Sequence, residues 1–141
     1  MAEPTQDSWT PQDSAELYQV QGWGEPYFSV SDKGRVQVHP NPAIKAGIDL
    51  HDLVEDLEAR GLRLPLLIRF PDIVHDRVRL INQCFGRAIE DYGYGGRYQG
   101  VYPVKVNQQR HLVEEVVEHG KAWNFGLEAG SKPELLIALA A

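Results

Sequence analysis

The sequence predicts an α/β fold built on a parallel sheet. Three segments of strand character are each followed by a segment of helical character, over residues 64–92, 98–120 and 123–141. The strand segments are short apolar runs, whereas the helical segments repeat apolar residues every three to four positions. Successive βα units build a parallel sheet, either open and doubly wound or closed into a (β/α)8 barrel. The pattern by itself leaves both architectures open.

Composition narrows the class of protein. The 141 residues are 43% hydrophobic and 24% charged, which is typical of a globular domain. Twenty acidic against fourteen basic residues give a net charge of -6 without a basic stripe, so nucleic acid is not expected as a partner. We find neither a secretory signal nor an apolar run long enough to cross a membrane. Cys84 is the only cysteine, which favours a reducing compartment such as the cytoplasm, and its helical context predicts simple packing.

The first two predicted regions are short. Residues 1–17 predict a disordered polar tail because they carry prolines and glutamines and few apolar residues. Residues 18–47 predict a short β segment and a connector. Within them, a turn over residues 31–34 separates two groups of β-forming residues. Trp23 and the aromatic pair Tyr27 and Phe28 predict a packed aromatic cluster.

Residues 48–141 predict the first βα units of the main domain. A helix opens the region, with Asp49 as a candidate N-cap and Gly61 as a candidate C-cap. The continuous apolar run over residues 64–70 is typical of a strand covered on both faces. A long helix over residues 73–92 follows, and the glycines at 93–96 end it.

The remaining segments continue the alternation of strands and helices. Residues 98–108 predict a strand, and a shorter helix beginning near Leu112 ends at Gly120. Residues 123–129 predict a third strand. Ser131, with Glu134 three positions later, forms a capping-box pattern that opens the last helix.

Lys105 is the first candidate for chemistry. Strand alternation places it on the face of Val101, Pro103 and Asn107, near the carboxyl end of the strand, where α/β enzymes place their active sites. A desolvated lysine loses its proton readily and can form a Schiff base with an aldehyde cofactor. The alternative is a lysine that extends to solvent at a strand end. Periodicity does not decide between the two.

Other candidates also have two interpretations. Glu128 precedes small residues that let a ligand approach, although the same pattern fits an ordinary strand-to-helix turn. Arg69 could bind an anionic ligand or pair with a neighbouring carboxylate, and the sequence favours neither.

Phosphate and zinc sites are not expected. The glycines at 93–96 follow a helix and precede a strand, the reverse of the order in a phosphate-binding loop. The five histidines lack metal-ligand spacing with one another or with Cys84, so no zinc site is expected.

Four segments closely resemble the biosynthetic arginine decarboxylases: residues 22–28, 64–70, 102–108 and 124–132. The pattern Tyr-x-x-Lys-x-Asn at 102–107 is shared with ornithine and diaminopimelate decarboxylases. The resemblance implies an alanine-racemase-like (β/α)8 barrel that binds pyridoxal phosphate, of which this chain holds only the N-terminal part, preceded by the β-hairpin segment.

The resemblance also implies roles for residues. Lys105 would carry pyridoxal phosphate as a Schiff base, Glu128 would line the cofactor pocket, and Glu134 would belong to the same neighbourhood or to the helix cap. The implied reaction converts L-arginine to agmatine and carbon dioxide in polyamine and spermidine biosynthesis, in a cytoplasmic homo-oligomer (dimer or tetramer). Magnesium is implied as well, without a ligand that this sequence identifies.

Length is where the chain departs from the family. The resemblance implies a protein several times longer, with the phosphate-binding and substrate-specificity residues beyond residue 141. The 141-residue chain is therefore expected to be an N-terminal fragment that is inactive alone. The alternative is a naturally short, non-catalytic regulatory or structural partner of a full-length decarboxylase.

Overall fold

The computed structural model describes residues 8–44 and 46–141. The chain divides into two compact units, Met1–Arg69 and Phe70–Ala141. The first unit holds a small antiparallel sheet with three helices: α1 Pro11–Leu17, α2 Val20–Gly24, β1 Phe28–Val30, β2 Val36–Val38, β3 Ile48–Asp49 and α3 Leu50–Ala59. The strands lie in the order β1-β2-β3.

The N-terminal prediction is wrong from Pro11 onward. Instead of a disordered tail to residue 17, α1 forms there, while residues 1–7 lie outside the described residues. Thr10 begins the helix through a capping box with Asp13, and Pro11 occupies the first turn. Two hydrogen bonds from Thr10 lower the pKa of the exposed Asp13 carboxyl. The polar composition predicted disorder, although the segment contains a capping box that stabilises a helix.

The predicted hairpin is confirmed. Strands β1 and β2 pair antiparallel with Phe28 opposite Val38, and Gly34 in the connecting turn adopts a φ of +73°, which favours glycine. Trp23 lies against Phe28 with ring centroids 5.4 Å apart. The extended segment predicted from residue 18 is wrong over α2, however. Strand β3 was not predicted because it has only two residues, directly before α3.

Helix α3 matches its prediction at both ends. The Asp49 carboxylate accepts hydrogen bonds from the backbone N–H groups of His51 at 2.9 Å and Asp52 at 3.3 Å. Gly61 follows the helix with a φ of +91°. Both ends depend on residues a few positions apart, which is why the sequence pattern identified them.

The second unit contains a parallel βαβ motif. Its elements are α4 Pro71–Asp91, β4 Val101–Pro103, a 3₁₀ turn Val104–Val106, α5 Arg110–Gly120, a 3₁₀ turn Lys121–Trp123, β5 Gly126–Glu128 and α6 Lys132–Ala140. Strands β4 and β5 pair in parallel. The core of this unit is aliphatic and includes Val104, Val113 and Val116, each at most 2% exposed.

The strand predictions are only partly right. Residues 64–70 do not form a strand, and Leu64 and Leu67 are exposed. The segments predicted at 98–108 and 123–129 are strands only over β4 and β5. A strand needs a hydrogen-bonded neighbour, and the described residues pair β4 with β5 alone. In the part of the chain that the structure describes, the parallel α/β arrangement is therefore a single βαβ motif rather than the predicted three-stranded parallel sheet.

Cys84 also differs from its prediction. It lies on α4 and is exposed rather than packed. Its neighbour Phe85 stacks on Tyr98 with ring centroids 3.9 Å apart and is nevertheless 46% exposed. The apolar stripe that predicted burial of the thiol is thus incompletely covered within this unit.

Candidate active site at the carboxyl end of the parallel strands

The predicted site residues lie at one edge of the β4–β5 pair. Pro103, the last residue of β4, is opposite Glu128, the last residue of β5. The chain leaves β4 into the 3₁₀ turn that carries Lys105, and it leaves β5 toward the start of α6. Because the strands are parallel, both departures occur at the same edge. This is the edge at which α/β proteins bind ligands.

Lys105 is exposed, and it does not occupy the strand face predicted for it. The alternation of a strand ends at Pro103, because the next three residues turn as a 3₁₀ helix. Val104 is fully buried and anchors that turn, whereas Lys105 extends outward. Within residues 8–44 and 46–141, Lys105 has neither an ion pair nor a side-chain hydrogen bond. Its amine is therefore not neutralised by a carboxylate.

A hydrogen bond closes the turn that presents Lys105. The Tyr102 hydroxyl donates to the backbone carbonyl of Asn107 at 3.0 Å. The Asn107 amide oxygen in turn accepts from the backbone N–H of Gln109 at 3.0 Å, just before α5 begins. Tyr102 and Asn107 are thus the positioning residues on either side of the lysine. Sequence reasoning recognised both as motif positions without identifying this contact.

Glu128 and Glu134 meet at Gly130. A β-carbon added to Gly130 would lie 3.5 Å from Glu128 Oε1 and 3.5 Å from Glu134 Oε2. Gly130 also donates its backbone N–H to Glu134 Oε2 at 2.7 Å. Two half-buried carboxylates therefore approach one stretch of backbone, each at ordinary van der Waals distance from the position of a β-carbon.

The start of α6 follows its predicted cap with one change. The Ser131 hydroxyl accepts a hydrogen bond from the Glu134 backbone N–H at 3.4 Å, as expected of an N-cap. The Glu134 carboxylate reaches the N–H of Gly130 instead of that of Ser131. Glu134 therefore takes part in the helix cap. Helix α6 also contacts the 3₁₀ turn of Lys105, which brings the two ends of the site together.

Arg69 and the glycines after α4 were also candidates from the sequence. Gly93 follows α4 with a φ of +56°, and the backbone N–H of Tyr94 donates to the carbonyl of Ile89 at 2.9 Å, so the predicted helix end is confirmed. Arg69 is the last residue of the first unit and is half-buried. A groove of about 380 Å³ lies between α5 and α6, but its lining residues do not include Lys105 or Glu128.

The structure also brings together residues that the sequence pattern did not connect. His75 on α4 lies 2.6 Å from Glu115 on α5, measured from Nε2 to Oε2. His119, one turn further along α5, places Nδ1 3.7 Å from the same carboxylate oxygen. The prediction considered only spacing along the sequence, which does not reveal this proximity, and the expectation that no zinc binds stays a prediction. Glu115 and His119 have helical i, i+4 spacing, but the third member is 40 residues away.

Comparison with known proteins finds similar sequences. The chain is 63% identical over 132 residues to the biosynthetic arginine decarboxylase of Gloeobacter violaceus, covering 94% of this chain and 20% of that protein. It is 59% identical over 140 residues to the enzyme of that name from Prochlorococcus marinus strain MIT 9313, covering 98% and 22%. No protein-family model matches. Over nearly its whole length, the chain is similar to a segment of the biosynthetic arginine decarboxylases.

A solved structure extends the comparison to the fold. The crystal structure of the biosynthetic arginine decarboxylase from Campylobacter jejuni matches with a TM-score of 0.78 and 37% identity, over 87% of this chain and 20% of that one. The chain thus spans about a fifth of the length of its relatives, which confirms that arginine decarboxylases are several times longer. Among the described residues, no helix is long and apolar enough to cross a membrane.

Proposed function

We propose that this chain is the N-terminal part of an enzyme that uses pyridoxal phosphate to convert L-arginine to agmatine and carbon dioxide. The observation that carries the proposal is Lys105. Its amine, which has no ion-pair partner among the described residues, stands on a closed turn at the carboxyl end of two parallel strands. The identity to biosynthetic arginine decarboxylases over nearly the whole chain supports the reaction and its substrate.

The residues present fit one end of the cofactor. An amine reacts with an aldehyde only as the free base, so a lysine without a carboxylate partner suits the aldehyde end of pyridoxal phosphate. Glu128 would border the cofactor pocket from the adjacent strand end. We assign the phosphate end to residues beyond this chain. The chemistry that the cofactor supplies when bound is an electron sink for the pair left behind by departing carbon dioxide.

The exposure of Lys105 explains why the chain is expected to be inactive alone. Removal from water favours the neutral, nucleophilic form of an amine. Lys105 is exposed, and so are the flanking Val106 and Gln108. The enclosure that keeps water from the reacting amine would therefore have to come from the rest of the enzyme. The 141-residue chain supplies the nucleophile and the turn that positions it.

We place β4, α5 and β5 within a pyridoxal-phosphate-binding (β/α)8 barrel of the alanine-racemase type. The parallel register of β4 and β5, joined through a helix, is the repeating unit of such a barrel. The likeness to the Campylobacter jejuni structure supports this placement. A homo-oligomer and a cytoplasmic location complete the proposal, and the single cysteine is compatible with a reducing compartment. Magnesium stays part of it without an assigned ligand.

The test replaces Lys105 in the longer decarboxylase that contains this segment. We expect Lys105→Ala to abolish both the visible absorption of bound pyridoxal phosphate and the production of agmatine. Lys121→Ala is the matched control, because Lys121 pairs with Glu118 at the opposite, amino-terminal edge of β5. It should keep both signals. Retention of absorption and activity by Lys105→Ala would exclude the proposed role of Lys105. Agmatine production by the 141-residue chain alone would instead refute the expectation that this chain is inactive.

A second candidate is a short, non-catalytic partner of a longer decarboxylase. The observation that favours it is the apolar surface of α6, on which Leu135, Leu136 and Leu139 are all more than half exposed. Such a surface on a folded chain is typical of a protein interface. Stable co-purification of the 141-residue chain with a longer homologue supports this candidate. A chain that stays a soluble monomer in its presence counts against it.

A further inference from the structure

The cluster of His75, Glu115 and His119 lies outside the candidate active site. It joins the first turns of α4 to the second half of α5 within one compact unit. One ligand-type atom from each residue lies within 4.8 Å of the others. The His75 and His119 rings are also nearly parallel, with centroids 3.0 Å apart. Two imidazoles and one carboxylate thus lie close together, although the stacked rings do not yet point their nitrogens at a common position.

The distances are close to those of a chelate. With ligand bonds of about 2.0–2.1 Å in a tetrahedral site, neighbouring ligand atoms stand about 3.3 Å apart. Here Glu115 Oε2 lies 2.6 Å from His75 Nε2 and 3.7 Å from His119 Nδ1, on either side of that separation. Because the two rings are stacked, coordination would need one imidazole to swing out of the stack so that both ring nitrogens face one ion. His119 is the more exposed of the two, at 41% against 22% for His75.

Access and charge also suit a cation. Glu115 and His119 open onto a hollow of about 430 Å³ that Glu114 and Glu118 also line. Both of these acidic side chains already have cationic partners, Arg110 for Glu114 and Lys121 for Glu118. The Glu115 carboxylate, in contrast, is shared between the two histidines. With neutral imidazoles the cluster carries one negative charge that a divalent ion would offset.

We infer that His75, Glu115 and His119 form a binding site for a divalent transition-metal ion such as Zn²⁺. Two imidazole nitrogens and one carboxylate oxygen are the protein ligands of several zinc sites, and they leave a fourth position open for water. Magnesium prefers an octahedral set of oxygens and is excluded by this donor set. The site is therefore distinct from any magnesium site of the decarboxylase.

The experiment is a Zn²⁺ titration of the purified 141-residue chain, followed by calorimetry. The chain carries no affinity tag, because a polyhistidine tag binds zinc, and it carries Cys84→Ser to remove the exposed competing thiol. We expect one Zn²⁺ per chain and little response to Mg²⁺. His75→Ala and His119→Ala should each weaken binding by about tenfold or more, since even outer partners of a metal site contribute that much.

Three further variants make the result specific. His111→Ala is the matched control, because His111 lines the same hollow without belonging to the cluster. His51→Ala tests the second group of the described residues that approaches ligand spacing, whose three side chains are exposed on α3. Both should leave the affinity unchanged. Glu115→Gln keeps the shape and a hydrogen-bonding oxygen but loses the charge, so it should weaken binding with little effect on the fold.

Each alternative outcome overturns the proposal. Absence of saturable Zn²⁺ binding would mean that the cluster only joins α4 to α5 by a hydrogen bond. Equal losses in His111→Ala would mean non-specific binding to surface histidines. Histidine ring resonances provide an independent readout: addition of Zn²⁺ should shift the signals of His75 and His119 and leave those of His111 and His51 in place. A shift of all four signals together would contradict the site.

Discussion

Removal of the Tyr102 hydroxyl tests the turn that presents Lys105. Tyr102→Phe deletes one hydrogen bond of 3.0 Å and leaves the half-buried Asn107 carbonyl without that donor. A hydrogen bond of this kind contributes about 1 kcal/mol net, so the unfolding equilibrium constant should rise about fivefold. Urea denaturation, followed by the helical circular dichroism signal, measures this change. Hydrogen exchange should also accelerate at the backbone amides of residues 105–107, because the bond closes that segment.

The matched control is Tyr92→Phe. Tyr92 is 88% exposed at the end of α4, so its hydroxyl is solvated in both the folded and unfolded states. That substitution should leave the free energy of unfolding unchanged. If Tyr102→Phe costs no more than Tyr92→Phe, and exchange at residues 105–107 is unaltered, the bond does not hold the turn. The positioning role assigned to Tyr102 would then be wrong.

Two other predictions concern glycine conformation and acid stability. Gly86→Ala should stabilise the chain by about 0.5–1 kcal/mol, because Gly86 lies inside α4 with open space at its β-carbon position. Gly93→Ala should destabilise the chain by a similar amount, since its φ of +56° is unfavourable for alanine. Urea denaturation of both variants measures the two changes in the free energy of unfolding. Changes of the same sign would refute the argument. The pKa of Asp13 is lowered by hydrogen bonds from Thr10, so its contribution to stability is present above the ordinary value of 3.8 and lost as the pH falls through the lowered value. Thr10→Ala should raise this pKa in a carboxyl-carbon NMR titration, and an unchanged titration would exclude the cap as its cause.

The elements that were predicted correctly depend on local chemistry. Asp49 caps α3, Gly61 follows its end, and Ser131 caps α6, each through groups no more than a few residues apart. Such contacts form from the sequence near them, so a pattern of residue types is sufficient to locate them. Thr10 and Asp13 form the same kind of cap at α1. The prediction missed it because it relied on the polar composition of the segment.

The elements that were missed depend on residues far apart in the chain. An apolar run over 64–70 is compatible with a strand, but a strand forms only where a neighbouring backbone pairs with it. The close approach of His75 to Glu115 required the packing of α4 against α5, which no spacing rule contains. Sequence patterns therefore located the helices and turns of this chain better than its sheet or its side-chain clusters.

The environment predicted for Lys105 is wrong for a reason that lies in the backbone. The alternation of β4 was extended past Pro103, whereas the backbone turns at Val104, because the side chain of Val104 enters the core and is fully buried. Lys105 consequently extends to solvent at the carboxyl edge, in the gap between β4 and α5 that the hydrogen bond from Tyr102 to Asn107 spans. The spacing of Tyr102, Lys105 and Asn107 is thus explained by the geometry of a turn. A lysine held in this way faces water, so under the proposed function the rest of the enzyme would have to enclose it before its amine is desolvated.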